Sequence, residues 1–120
     1  MHKTVIILGA LLSAAAVLLG AFGAHLMQPI LIENSREDTF NTAIIYHIFH
    51  SLAVLISGIT LKNSKWIALF FSLGIFMFSG SLIILSITNI LAFGTLAPIG
   101  GSCFVIGWIL FARNAYINIQ

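Results

Sequence analysis

The chain has 120 residues, of which 60% are apolar and only 7% charged, with a formal charge of +2 and a mean hydropathy of +1.13. A soluble domain carries roughly 25% charged residues, so this chain cannot clothe a water-facing surface, and lipid is its expected solvent. Its basic residues are scattered singly or in pairs, which excludes the clustered Lys and Arg of a nucleic-acid footprint. Cys103 stands alone, so no internal disulfide can form.

A membrane helix needs about 20 mostly apolar residues. Four stretches meet that length, which predicts a single all-α domain, an integral membrane bundle of four transmembrane helices. The first runs roughly from Thr4 to Leu26 and ends at Pro29 and the polar stretch from Glu33 to Asp38. Its apolar run exceeds the roughly 7–15 residues of a secretory signal, so it is expected to remain as a span. The second runs from Thr39 to Thr60, with Ser35 and Asp38 spaced as a capping box at its start. Lys62-Asn63-Ser64-Lys65 separates it from the third, Lys65 to Ile87. The fourth, Ala97 to Tyr116, opens with Pro98, whose missing N–H suits a first helical turn. Strands are excluded because an open sheet in lipid leaves backbone groups unpaired.

Orientation follows from the positive-inside rule. One side holds both termini and the second loop, with Lys3, Lys62, Lys65 and Arg113; the other holds Arg36 beside Glu33, Glu37 and Asp38. The termini are therefore expected in the cytoplasm. Trp66 and Tyr116 fall at the inner interface, as belt aromatics do.

Depth places the polar and small residues together. Gly20, Gly23, Ala24 and His25 lie at the outer end of the first span, and Tyr46, His47 and His50 roughly 10–18 Å below Asp38 at 1.5 Å per residue. Ser79, Gly80 and Ser81, and then Gly100 and Gly101 after Pro98, occupy the outer half as well. Small residues allow close helix approach where lipid supplies no hydrophobic contrast. Ala16, Gly20 and Ala24, at four-residue spacing, thus predict a central first helix. Ionisable groups in a span usually face the bundle interior or mark a functional path. His47 and His50, three apart, share a face with Tyr46 nearby. That pair admits three readings: structural hydrogen bonding, a ligand or ion path, or a metal or haem site. His25 is too shallow to join them and is better placed for the outer acidic loop, while His2 is read as a solvated terminal residue. Trp108 falls near mid-span, where its indole N–H needs an acceptor. No Asp or Glu lies within a span, and no phosphate loop, HExxH pattern or Ser-His-Asp set can be assembled. An enzyme, a cofactor and a bound metal are not expected.

Four ordered motifs resemble the DUF423 group, which takes in YwdK-like and YgdD-like bacterial proteins and mitochondrial transmembrane protein 256. They are Gly20-Ala21-Phe22-Gly23-Ala24-His25, then Thr42-Ala43 through Tyr46-His47 to His50-Ser51-Leu52-Ala53, then Phe78-Ser79-Gly80-Ser81-Leu82, and Pro98-Ile99-Gly100-Gly101 through Phe104 to Gly107-Trp108. The resemblance implies a four-helix protein of the bacterial plasma membrane without an assigned activity. His47 stands where glutamine is common in that pattern, which implies a hydrogen-bonding position rather than a metal ligand.

Two classes of function remain. One is a structural or accessory protein acting through helix contacts, as a homo-oligomer among membrane lipids. The other is a small transporter, channel or lipid- or ligand-binding protein using His25, Tyr46, His47, His50, Ser79 and Ser81. A membrane enzyme or haem carrier stands third.

Overall fold

In the computed structural model, which describes residues 1–119, the chain forms four helices long and apolar enough to cross a membrane. They are Lys3–Asn34, Glu37–Thr60, Lys65–Thr88 and Leu91–Asn118. Each satisfies its backbone N–H and C=O groups internally, as hydrocarbon requires.

The first helix is longer than expected. Its 32 residues span about 48 Å at 1.5 Å each, close to the molecule's longest extent of 52 Å. Pro29 lies inside it and does not end it. A proline removes one N–H, and helices in lipid tolerate that loss. The chain turns instead at Ser35, which takes the left-handed conformation (φ 56°). Arg36 N–H then donates back to the Leu31 carbonyl at 2.9 Å. Ser35 therefore closes the first helix, and the expected capping box with Asp38 does not form, because a left-handed residue cannot also serve as the extended N-cap of the next helix. Arg36 takes that cap position without a side-chain bond. The fourth helix begins early, with a 3₁₀ stretch over Leu91–Leu96 before its α-helical part, and Pro98 does sit in the first turn of that part.

Two helices contain a wider π-helical stretch, Leu19–Gly23 in the first and Ile75–Gly80 in the third. Each adds backbone to a turn and rotates the residues beyond it to a new face.

The first helix packs along the second, the third along the fourth, and the second and third form the centre. The first packs on the third chiefly through its far segment, so it is peripheral rather than central. Ala16 is buried, but Gly20 within the π stretch and Ala24 beyond it are only half-buried.

Glycine sets the spacing at the seams. Gly9 faces the Leu55 backbone, and Gly58 faces Val5 and Ile6. Gly100 lies against the backbone of Met77 and Phe78. Between the third and fourth helices the fit is reciprocal: Phe104 fills the space a side chain at Gly74 would need, and Phe71 does the same at Gly107.

Hydrogen bonds tie both ends. At the acidic end, Asn34 Nδ2 donates to the Ser86 and Ile87 carbonyls, both at 3.0 Å, and Arg36 Nε donates to Asn89 Oδ1 at 3.0 Å. At the end with the termini, Asn114 Nδ2 donates to the Lys62 carbonyl. His2 is not a free terminal residue there. Its backbone N–H donates to Gly58 O at 2.7 Å, and its Nδ1 caps the first helix by accepting from Val5 N–H at 3.3 Å.

A methyl group at Gly100 would meet backbone rather than a movable side chain, whereas one at Gly80 would meet only Ile75 O, at 4.0 Å. Gly100→Ala is expected to destabilise the fold by about 1–3 kcal/mol and Gly80→Ala by under about 0.5 kcal/mol. Unfolding in detergent with both variants checks this, and equal losses would refute the seam.

Candidate functional site

The second helix brings Tyr46, Phe49 and His50 to one side, and the fourth brings Gly101, Phe104, Val105 and Trp108 to meet them. At the centre is His50, whose side chain is buried. Trp108 Nε1 lies 3.0 Å from His50 Nε2, and the Tyr46 carbonyl lies 2.8 Å from His50 Nδ1. An indole N–H can only donate, so Nε2 is the acceptor. Nδ1 then carries the proton and donates it to Tyr46 O. The ring is a neutral imidazole with both nitrogens occupied, and it has no lone pair to offer a metal while Trp108 stays in place. Among the described residues, no group of three or more His, Cys, Asp or Glu is placed to hold a metal ion.

Aromatic rings enclose this pair. Phe104 stacks on His50 with centroids 3.6 Å apart and planes 10° from parallel. Phe71 and Phe49 approach at 5.4 and 5.3 Å. Phe71 and Phe104 are the same two rings that seat over Gly107 and Gly74, so the glycine seam also positions the histidine. Tyr46 packs on Phe78 at 4.6 Å and stacks beyond Phe104 at 6.3 Å. Tyr46, Phe49, His50, Phe104 and Trp108 wall a groove of about 460 Å³ between the second and fourth helices. Its rim, Ile45, Phe49 and Val105, is exposed. Such a groove accepts apolar surface; the histidine supplies shape and polarity to its floor, not a free acid or base.

The other singled-out residues do not join it. His47 is buried with no hydrogen bond to its Nε2, beside the Leu12 backbone of the first helix. Ser79 is buried and its hydroxyl unpaired, while Ser81 Oγ donates to Phe78 O within its own helix at 3.0 Å. His25 is exposed and lines a separate cavity of about 290 Å³ with Gln28, Glu37 and Asn41. Among the small residues, Gly20 approaches Ile44 and Gly100 the third-helix backbone, while Gly23 and Gly101 have only ordinary contacts and Gly80 meets no side chain. The polar positions therefore share a depth but occupy distinct environments.

Phe71, Gly74 and the packing role of Phe104 and Gly107 were missed. A signal for them exists: Phe71-x-x-Gly74 and Phe104-x-x-Gly107 place an aromatic ring and a notch on one face of each helix.

The family model described as "Protein of unknown function (DUF423)" matches residues 19–101, well over half of the chain. The chain belongs to the DUF423 family. Among its relatives is a UPF0382 membrane protein of Staphylococcus aureus, 46% identical over 90% of this chain and 91% of the relative. A UPF0382 membrane protein of Staphylococcus saprophyticus is 41% identical over 95% and 98%. The UPF0382 membrane protein YwdK of Bacillus subtilis is 40% identical over 94% and 96%. No solved structure matches the chain. With four apolar helices and these relatives, this DUF423 member is an integral, multi-pass bacterial membrane protein. The DUF423 match includes Tyr46 and His50 but stops before Phe104 and Trp108.

Trp108→Phe keeps the ring and removes the donor, so it is expected to cost about 1 kcal/mol. In a double-mutant cycle with His50→Phe the coupling should be about 0.6–1.7 kcal/mol, the range for hydrogen bonds within membranes. Additive losses would mean that the pair contributes by packing alone.

Proposed function

We propose that this protein is a non-enzymatic structural or accessory component of the membrane, acting through helix contacts as a homo-oligomer, with its termini in the cytoplasm. The observation that carries this is how its polar groups are used. The hydroxyls of Ser13, Ser51, Ser57, Ser86 and Ser102 donate to carbonyls three or four residues earlier on their own helix. His50 is closed by Trp108 and Tyr46 O. The unpaired atoms His47 Nε2, Ser64 Oγ, Ser72 Oγ and Ser79 Oγ are buried and border none of the larger cavities. A transport path needs a succession of available polar groups, and this arrangement supports none.

Support for assembly comes from the apolar groove. A helix of a second copy would cover Phe49, Val105 and the outer edge of Trp108, all exposed in the single chain. Packing of that kind drives helix association in lipid. The cytoplasmic placement of the termini rests on the positive-inside count of four basic residues against one.

A second reading uses the same groove: at about 460 Å³ it lies within the 300–1,000 Å³ of small-ligand sites, and a lipid-soluble molecule would fit it. Mass measurement in detergent and in nanodiscs separates the two. Wild type is expected as an oligomer, and Gly101→Phe, which fills the groove, as a monomer. A wild-type monomer in both media would refute the assembly.

A further inference from the structure

The acidic side chains of this chain, Glu33, Glu37 and Asp38, all stand at the hairpin between the first and second helices. Lys3, Lys62, Lys65 and Arg113 stand at the opposite end, a membrane's width away. Among the described residues, Arg36 is the one cationic side chain with a hydrogen-bonded partner. The four cations at the terminal end therefore have no side-chain counter-charge.

Two of them share a cavity. Lys65, opening the third helix, and Arg113, near the end of the fourth, border a space of about 490 Å³. It is the largest of the cavities described. Asn114 shapes its polar side by holding the Lys62 carbonyl and accepting from Asn118 Nδ2 at 3.2 Å. Trp66, largely exposed, lies beside Lys65; indole prefers headgroup depth. Toward the hydrocarbon, the wall becomes Phe70 and Leu110. The third helix also starts without a side-chain cap, so its first-turn N–H groups add positive character.

We propose that this cavity binds an anionic phospholipid, with the headgroup phosphodiester between Lys65 and Arg113 and the acyl chains along Phe70 and Leu110. Arg offers a forked donor set and Lys a compact charge, and both suit phosphate oxygens. The graded wall fits an amphiphile better than a free anion. A lipid carrying its own ammonium group is disfavoured, because among the described residues that group would face two cations and no acidic side chain. The site lies between the third and fourth helices, apart from the groove of the proposed assembly.

Native mass spectrometry of the detergent-purified full chain, equilibrated with equal phosphatidylglycerol and phosphatidylcholine, tests this. Wild type is expected to retain phosphatidylglycerol preferentially, even with millimolar inorganic phosphate present. Lys65→Gln/Arg113→Gln should lower that retention roughly tenfold or more, as expected for two basic contacts. Lys3→Gln/Lys62→Gln, with the same charge change elsewhere at this end, should retain it. Both cavity side chains are exposed, so helix content by circular dichroism should not change, and the wild-type lipid comparison requires no variant. Equal retention of the two lipids, displacement by phosphate, or equal losses from both double variants would each overturn the site.

Discussion

The structure depends on one fit, the interlock of the third and fourth helices through Phe71, Gly74, Phe104 and Gly107. Lipid tails are as apolar as leucine, so helices in a membrane gain little from merely meeting. They gain when side chains enter spaces that lipid cannot fill as well. Here each helix offers a ring and a notch one turn apart, and the two run antiparallel, so ring meets notch twice. The core of Val54, Ala68, Phe71, Ile75 and Phe104 gathers around that fit.

The same rings determine what His50 can be. Held under Phe104 and beside Phe71, the imidazole has two polar neighbours, a carbonyl of its own helix and the Trp108 indole. This side-chain hydrogen bond joins two helices away from the ends; those at Asn34, Arg36 and Asn114 sit at the two mouths. Buried polar groups in low dielectric are expensive unless satisfied. Ser51, Ser57, Ser81 and Ser86 are satisfied locally, by back-bonding to a carbonyl on the same helix, which leaves each helix free to pack by shape. The Trp108–His50 bond adds direction to that packing, fixing the rotation of the fourth helix against the second.

The two ends differ in kind. The acidic end is closed by the Asn34 amide on the last carbonyls of the third helix, groups a helix leaves unsatisfied, and by the Arg36 guanidinium on the Asn89 side chain. The terminal end is held by His2 and Asn114, and among the described residues its cations have no acidic side chain beside them. A protein that turns most of the serine hydroxyls in its spans back onto its own helices, and leaves charge and apolar surface available, suits the proposed contacts with other membrane components. The proposed assembly and the lipid site both follow from that division, through different surfaces.

Hydropathy alone determined that the chain has four spans, because any segment in hydrocarbon must be apolar over a fixed length and hydrogen-bonded to itself. It also placed Tyr46, His50, Ser79 and Gly100 at similar depths, since rise per residue is constant along a helix. What remained open was rotation. Helical spacing across Ala16, Gly20 and Ala24 suggested one continuous face, but the π stretch at Leu19–Gly23 interrupts it, and the first helix became peripheral. Likewise Pro29 and Ser35 were read by their usual preferences, and the tertiary structure carried the helix through one and ended it on the other. Which residues share a depth is a property of the chain; which of them touch is decided only when helices rotate to fit ring into notch, and that choice is made jointly by residues far apart in sequence.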